Sequence, residues 1–237
     1  MRKKPSNLIG WCDMTLNPIK GKCQLNCFYC YATKFYDRFG WDPTVGFKPE
    51  VFQDADLDNL EPSRIFICST HEIFGDWIPS EWIQEILGLC RSYPQHTFQL
   101  LTKLPGRARE FKFPRNVWLG TTVTWSTDIV NINNLAYTRE IAVRYISFEP
   151  LMEDIFPAPI SRTDLGSLAT DLYKISWIIV GAMTGPYRKK YFPDPKWIQN
   201  ILKVARLFNI PVFLKDNLYL KDSMIPVQKI QEFPGGN

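Results

Sequence analysis

The stretch NPIKGKCQLNCFYCYATKF, residues 17–35, places three cysteines within eight positions of the chain. Cys23, Cys27 and Cys30 are separated by gaps of three and then two residues. Disulfides among such close neighbours are sterically poor, so in a reducing compartment this spacing indicates a metal or cluster site. Thiolates are the ligands of iron–sulfur clusters, and a [4Fe–4S] cube takes one ligand per iron. Three cysteines would therefore leave one iron open for a substrate or cofactor, as in catalytic metal sites.

The rest of the chain has the composition of an ordinary globular protein, with 45% hydrophobic and 22% charged residues in 237. Its net charge of +4 permits a phosphate-bearing partner but does not indicate a strongly basic nucleic-acid binder. No apolar run approaches the roughly 20 residues of a membrane span, and the first residues lack the apolar stretch of a signal peptide. We therefore expect a cytoplasmic protein without membrane contact. We expect one domain over 1–237, with 218–237 as a C-terminal extension.

Seven short runs rich in β-branched and aromatic residues predict strands. They cover 8–14, 64–70, 97–103, 116–123, 142–149, 176–182 and 211–217. Helical spacing of apolar residues occupies 77–92, with Ser80 as N-cap, and 194–209, with Asp194 as N-cap and Pro195 at the first helical position. The weaker segment 151–175 predicts a long excursion with a short helix. This alternation predicts an α/β fold: a parallel (β/α) barrel, partial or nearly closed and TIM-like, with about six to seven strands.

The predicted strands end in polar residues, and in parallel barrels function sits at these carboxyl ends. After the cysteine loop, the successive ends carry Ser69, Thr70, His71 and Glu72; Thr102 and Lys103; Thr121 and Thr122; Ser147 and Glu149; Gly181, Thr184 and Gly185; and Lys215, Asp216 and Asn217. We expect these groups to converge on one rim.

The cysteine spacing, with the aromatic Phe28 directly after the second cysteine, resembles the motif of the radical S-adenosylmethionine (SAM) superfamily. The resemblance implies that Cys23, Cys27 and Cys30 bind a [4Fe–4S] cluster whose open iron chelates SAM. It implies reductive cleavage of SAM to a 5'-deoxyadenosyl radical that acts on a substrate. It also implies a partial or complete parallel α/β barrel with the cysteine loop after its first strand, and an electron donor such as a flavodoxin or ferredoxin.

Most of residues 8–217 is similar to an uncharacterised phage-associated family of compact radical SAM-like barrel proteins. The similarity is carried by CYA at 30–32, RIFICSTHEIFGDWIP at 64–79, FQLLTKLP at 98–105, NVWLGTTV at 116–123, VRYISFEPL at 143–151, WIIVGAMTGP at 177–186 and VFLKDN at 212–217. Two positions depart from the family pattern. Glu72 stands where that pattern has aspartate, and Met183 stands where it has a carboxylate.

The resemblance also implies cofactor-binding residues at the strand ends, namely Phe28, Ser69, Glu72, Lys103, Thr122, Glu149, Gly181 and Lys215. In this interpretation Glu72 accepts from the SAM ammonium, and Glu149 contacts the ribose or the substrate. The two lysines meet a carboxylate or a substrate anion, or else form internal salt bridges with Glu149 or Glu72. Gly181 lets the backbone approach the adenine, although an ordinary tight turn explains this glycine nearly as well.

The substrate is unknown, and a nucleic acid or nucleotide is the first expectation. His71 and Arg188 are candidate substrate-binding residues, and the loop PYRKKY at 186–191 combines three cations with two tyrosines. The competing interpretation is a non-enzymatic binding module stabilised by a cluster or by zinc, with Cys12 as a fourth thiolate. Cys12, Cys68 and Cys90 are otherwise expected to be buried thiols.

Overall fold

A computed structural model describes residues 9–157, 161–185, 187–219 and 229–235. In these ranges the strands are β1 (Met14–Leu16), β2 (Ile19–Lys20), β3 (Gly46–Phe47), β4 (Arg64–Ile67), β5 (Thr97–Thr102), β6 (Val117–Thr122), β7 (Val143–Phe148), β8 (Trp177–Val180) and β9 (Val212–Leu214). The helices are α1 (Tyr31–Phe39), α2 (Val51–Asp54), α3 (Ser80–Ser92), α4 (Pro105–Ala108), α5 (Val130–Ala136), α6 (Ser167–Leu172) and α7 (Pro195–Leu207). Short 3₁₀ helices cover Leu57–Asn59, Ser126–Ile129 and Asp216–Leu218.

The chain forms two compact units. The first comprises Met1–Leu119 and Arg139–Ala142, and the second comprises Gly120–Thr138 and Val143–Asn237. The principal sheet has seven strands in the order β1-β4-β5-β6-β7-β8-β9, and β2 and β3 form a separate antiparallel pair. The predicted α/β class, with a sheet of about seven strands, is therefore confirmed.

In the first unit, β1 pairs in parallel with β4, and β4 pairs in parallel with β5. The register sets Ile65 of β4 opposite Phe98 of β5, and both side chains are fully buried. Phe52 of α2 packs on Phe98 with ring centroids 6.0 Å apart. Because the strands are parallel, their carboxyl ends lead into the cysteine loop, the segment after β4 and the segment after β5 at one edge.

In the second unit, β7, β8 and β9 are also paired in parallel. Trp177 of β8 is completely buried and contacts the rings of Tyr145, Phe213 and Phe233. The described part of the C-terminal extension, residues 229–235, runs beside β9 and forms an antiparallel bridge at Phe213. The remaining residues of that predicted extension, apart from Leu218 and Tyr219, lie outside the described ranges.

Six predicted strands are confirmed, whereas the first lies later than expected. The predicted strand over 8–14 is wrong, because β1 covers Met14–Leu16 and residues 9–13 form turns and bends. Gly10 has φ +84° and breaks the extended path, yet Trp11 and Cys12 are still buried. Leu8 lies outside the described residues. The apolar run thus marks a buried turn leading into the strand.

The two long predicted helices are present, with one corrected boundary. Asp194 caps α7 as predicted, because its side chain accepts a hydrogen bond from the Lys196 amide at 2.7 Å. Ser80 is the first residue of α3, not its cap, and the cap position holds Pro79. The expected short helix in the 151–175 excursion is α6. None of the helices within the described ranges has the length and apolar character that crossing a membrane requires.

Candidate functional site

The cysteine loop, residues 21–30, follows the short strand β2 and ends where α1 begins. Gly21 enters the loop with φ +92°, a left-handed conformation that favours glycine. Its amide donates to the Tyr36 hydroxyl at 2.8 Å, which ties the start of the loop to α1. At the other end, Cys30 is the N-cap of α1, and its amide donates to the Cys27 carbonyl at 2.9 Å. Hydrogen bonds donated by backbone amides therefore hold both ends of the loop.

The three cysteines of the loop are free thiols, and each is partly exposed. Burial raises the pKa of Cys23, while the amides of Leu25 and Glu72 donate to its sulfur and oppose that rise. Burial also raises the pKa of Cys27, against the opposing charge of the Lys103 ammonium. Deprotonating these thiols is therefore favoured by a bound cation or cluster, which stabilises the thiolate.

The other three cysteines are buried thiols, as predicted. Burial raises the pKa of Cys68 to about 12 and raises the pKa of Cys90 well above its ordinary value. Such thiols are poor metal ligands at neutral pH, because a ligand must be deprotonated. Only the loop cysteines combine clustering with access to solvent.

Glu72, whose backbone amide bonds to Cys23 of the cysteine loop, has 6% of its surface exposed. One carboxylate oxygen accepts from the Phe74 amide at 3.0 Å and from the Thr102 hydroxyl at 2.5 Å. The other oxygen accepts from the Lys103 amide at 2.7 Å. Burial raises the pKa of Glu72, and these donors oppose that rise. A carboxylate offers about four acceptor positions, so three internal bonds leave room for one further donor.

Lys103 and two aromatic side chains lie beside the thiols. The Lys103 ammonium is 5.5 Å from the centre of the Tyr29 ring, within cation–π range. Tyr29 in turn meets Phe28 edge to face, with centroids 5.2 Å apart. Half of the Phe28 surface is exposed. The predicted cofactor-binding residues Phe28 and Lys103 are therefore on the same side of the unit as the cysteine loop.

His71 has both ring nitrogens engaged. Its Nδ1 is 3.2 Å from the Gly21 carbonyl, and its Nε2 accepts from the Trp77 indole at 3.1 Å. A donor at Nδ1 and an acceptor at Nε2 describe a neutral ring, and burial lowers the pKa of His71 accordingly. The side chain of His71 thus links Gly21, at the start of the cysteine loop, to Trp77.

Asn17, which lies between β1 and β2 ahead of the cysteine loop, bonds to the segment after β4. Its side-chain oxygen accepts from the Ser69 hydroxyl at 3.1 Å and from the Thr70 amide at 3.3 Å. The Tyr31 hydroxyl adds a bond to the Ser69 carbonyl at 2.8 Å. The predicted residue Ser69 is thus held between the two sides of the loop.

Across the described ranges, no three or more His, Cys, Asp or Glu side chains are grouped so that they could hold a single metal ion. A cubane cluster makes a different demand, because each thiolate binds its own iron at a separate corner. The donor set here consists of three accessible thiols on one short loop, with a lysine nearby. That chemistry fits a cluster with three protein ligands.

The second unit contains its own group of predicted residues. The Lys215 ammonium donates to the Glu149 carboxylate at 2.5 Å, and the two side chains are 12% and 21% exposed. Asn217 approaches the same carboxylate at 3.4 Å and also bonds the backbone of Ala182. A Cβ at Gly181 would lie 2.8 Å from the Glu149 carboxyl carbon. The absence of a side chain at Gly181 therefore leaves space for the ion pair. An internal salt bridge was one of the two roles that the sequence left open for Lys215.

We expect Lys215→Met to lower the free energy of unfolding by about 2 kcal/mol, because it leaves a half-buried carboxylate without its cation. The pair is partly exposed, so the effect should fall below that of a fully buried pair. Urea unfolding at neutral pH measures the change.

The matched control for that variant is Lys229→Met. Lys229 pairs with Asp216 at 2.8 Å, but these side chains are 55% and 72% exposed. Its removal should change the unfolding free energy by less than about 0.5 kcal/mol. Equal effects of the two substitutions would contradict a structural role for the Lys215–Glu149 pair.

The remaining predicted residues differ in exposure. Thr122 ends β6 and is buried, whereas Arg188 is exposed and its amide donates to the Gly185 carbonyl at 3.2 Å. Pro186, at the start of the predicted basic loop, lies outside the described residues. Met183, in place of the family carboxylate, is 4% exposed.

The sequence interpretation singled out Ser147 at a strand end but missed Gln99. Gln99 on β5 and Ser147 on β7 are completely buried, and their side-chain polar atoms have no hydrogen-bond partner among the residues described. A buried amide or hydroxyl without a partner is unfavourable unless water or a ligand satisfies it. Gln99 lies within an otherwise apolar strand run. A polar residue at that place in the pattern was the one feature of the sequence that could have indicated a buried polar side chain.

Comparison with known proteins gives one match. A family model described as "Protein of unknown function (DUF5131)" matches residues 6–232. No curated protein and no solved structure matches the chain significantly. Because the match spans nearly the whole chain, this protein belongs to the DUF5131 family, whose function is unknown.

Proposed function

We propose that this protein is a radical SAM-like enzyme that binds one [4Fe–4S] cluster through Cys23, Cys27 and Cys30. The observation that carries the proposal is the loop itself. Three free, partly exposed thiols follow the first strand of a parallel sheet and end at the start of a helix. When bound, the cluster would supply the electron for reductive cleavage of SAM at its open iron.

The residues around the loop have roles suited to such a cofactor. Lys103 brings a positive charge to Cys27, which favours the thiolate form required of a ligand. Glu72 has one acceptor position beyond its three internal bonds, and an ammonium group would form a charge-assisted hydrogen bond there. Phe28 and Tyr29 lie between Cys27 and Cys30 and would limit the access of water to a bound cluster.

The proposal extends to the finer features that the resemblance implies. These are a partial barrel, a cytoplasmic location, and an electron donor such as a flavodoxin or ferredoxin. The substrate would be a nucleic acid or nucleotide. Thr122, Glu149, Gly181 and Lys215 are proposed to contact SAM or the substrate, within the limits that the Lys215–Glu149 ion pair sets.

Anaerobic reconstitution with iron and sulfide tests the proposal. We expect about four irons per chain, and an electron paramagnetic resonance signal of the reduced protein that changes when SAM is added. Chromatography should then detect 5'-deoxyadenosine formed from SAM under dithionite. One zinc with no iron would instead identify a zinc-stabilised binding module, and a cluster spectrum that is insensitive to SAM would identify a closed site. Either result would overturn the proposal.

A further inference from the structure

Helix α1, together with Trp41 just after its end, presents a row of aromatic rings to solvent. Its members, named here the aromatic stripe, are Tyr31, Phe35, Phe39 and Trp41. They are between 39% and 53% exposed. Tyr31, Phe35 and Phe39 are spaced four residues apart and therefore lie on one face of the helix. With Phe28, the stripe supplies five of the ten exposed large hydrophobic residues in the described part of the chain.

Neighbouring rings of the stripe are in contact along α1 and onward to Trp41. Centroid distances are 5.8 Å from Tyr31 to Phe35 and 6.0 Å from Phe35 to Phe39. Phe39 and Trp41 are stacked, with centroids 5.5 Å apart and an angle of 26° between their planes. Tyr36 supports Trp41 from the side at 5.6 Å. The stripe is therefore a continuous platform of supported rings.

Cations accompany the rings on the same helix. Lys34 and Arg38 alternate with the aromatic residues, and the Arg38 guanidinium lies 5.3 Å from the centre of the Phe39 ring. The one acidic side chain of α1, Asp37, is bound to Lys22 at 2.8 Å. Positive charge thus borders the stripe, while its acid is neutralised by a partner.

We propose that the aromatic stripe binds single-stranded nucleic acid. Proteins hold single strands by stacking successive bases on aromatic rings while cations follow the phosphates. The alternation of rings with Lys34 and Arg38 matches a chain that alternates bases with phosphates. The core of a protein–protein interface is instead depleted of lysine, so Lys34 beside the rings favours a strand over a protein partner. A base within a duplex is already stacked and would not use the platform.

Because α1 begins immediately after Cys30, a strand on the stripe would run beside the proposed cofactor loop. As a substrate assignment, the inference rests on the proposed function. Strand binding itself requires no cofactor. It can therefore be tested on the protein without reconstitution, separately from the cluster.

Fluorescence anisotropy of a labelled thymidine oligonucleotide about 15 nucleotides long tests the inference. At low salt we expect saturable binding of the single strand and weaker binding of the matched duplex. Trp41→Ala should weaken binding about tenfold, since loss of one stacking ring reduces affinity to that extent. Trp41→Phe keeps a ring and should restore most of the affinity. Arg38→Gln should lower the slope of log affinity against log salt by about 0.7.

Tyr173→Ala is the matched control, because Tyr173 is an exposed aromatic residue outside the stripe. Its binding should equal that of the unmodified protein. No binding of any single strand at low salt would overturn the inference. So would binding that Trp41→Ala leaves unchanged and Tyr187→Ala weakens, since the strand would then use the 187–191 loop. Binding of a flavodoxin that Trp41→Ala abolishes, without strand binding, would identify a protein-docking surface and also overturn it.

Discussion

Alanine at any one of Cys23, Cys27 or Cys30 is expected to abolish the visible absorbance of the reconstituted protein and its iron content. A cube held by three thiolates loses a corner with each substitution, and the chain offers no accessible thiol nearby to replace it. All six cysteines are free, and those outside the loop are buried. Absorbance spectra and iron analysis after the same reconstitution measure the loss.

Cys12→Ala separates a site of three thiolates from one of four. Cys12 is 5% exposed, and we expect its replacement to leave the iron content unchanged. Cys90→Ala removes another buried thiol and controls for the general effect of a small cavity, which should reduce stability by about 1 kcal/mol or more. Loss of iron in Cys12→Ala, with iron retained in Cys90→Ala, would mean that four thiolates close the site.

The strands after the first were predictable because their apolar runs coincide with hydrogen-bonded segments. In RIFICST, TFQLLTK and SWIIVGA, the sheet pairs the buried segments 65–67, 98–100 and 177–180. The first run failed because burial and strand pairing separate there. Trp11 and Cys12 are buried, but Gly10 turns the chain before it reaches β1. Apolar periodicity reports burial and does not report which backbone is extended.

The cysteine motif of the proposed site could be found from its spacing. The hydrogen-bond partners of the nearby residues could not. The spacing of Cys23, Cys27 and Cys30 is local, so a single sequence displays it. The bond from His71 to Gly21 joins residues 50 positions apart, and the bond from Thr102 to Glu72 joins residues 30 apart. Such bonds depend on which loops the sheet brings together. Glu72 was therefore predicted as a ligand-binding carboxylate before its three internal donors were known.

The aromatic stripe shows the same limit in another form. Tyr31, Phe35 and Phe39 have the four-residue spacing of a core-facing helix, and periodicity alone assigns such residues to the interior. In the structure, the buried residue of α1 is Ala32, and the rings lie outside. Which face of this short helix is buried depends on its contacts with the rest of the protein. The sequence of the helix alone does not show those contacts.

Gly21→Ala is expected to lower the free energy of unfolding by about 4 kcal/mol and to reduce cluster binding although every cysteine is retained. A Cβ at this position would lie 2.3 Å from the Thr44 carbonyl oxygen and 2.6 Å from the Val45 Cα. These are backbone atoms, so no side-chain rotation relieves the contact, and an overpacked site of this kind gives the large losses seen for single substitutions. The left-handed φ of +92° adds about 1 kcal/mol or more for any residue with a Cβ.

Two further glycines serve as controls for the steric and the backbone contributions to the effect of Gly21→Ala. Gly40 ends α1 with φ +61° and has open space where a methyl group would lie, so Gly40→Ala should show the backbone cost alone, about 1 kcal/mol. Gly88 lies within α3, also in open space, and Gly88→Ala should raise stability by about 0.5–1 kcal/mol through helix propensity. Urea unfolding of the three variants measures the order. If Gly21→Ala lowered the free energy of unfolding no more than Gly40→Ala, the backbone of residues 43–45 would have to move to accommodate the methyl group. In that case the hydrogen bonds of Gly21 to Tyr36 and His71 would be retained, and the cysteine loop would still bind iron, contrary to the prediction.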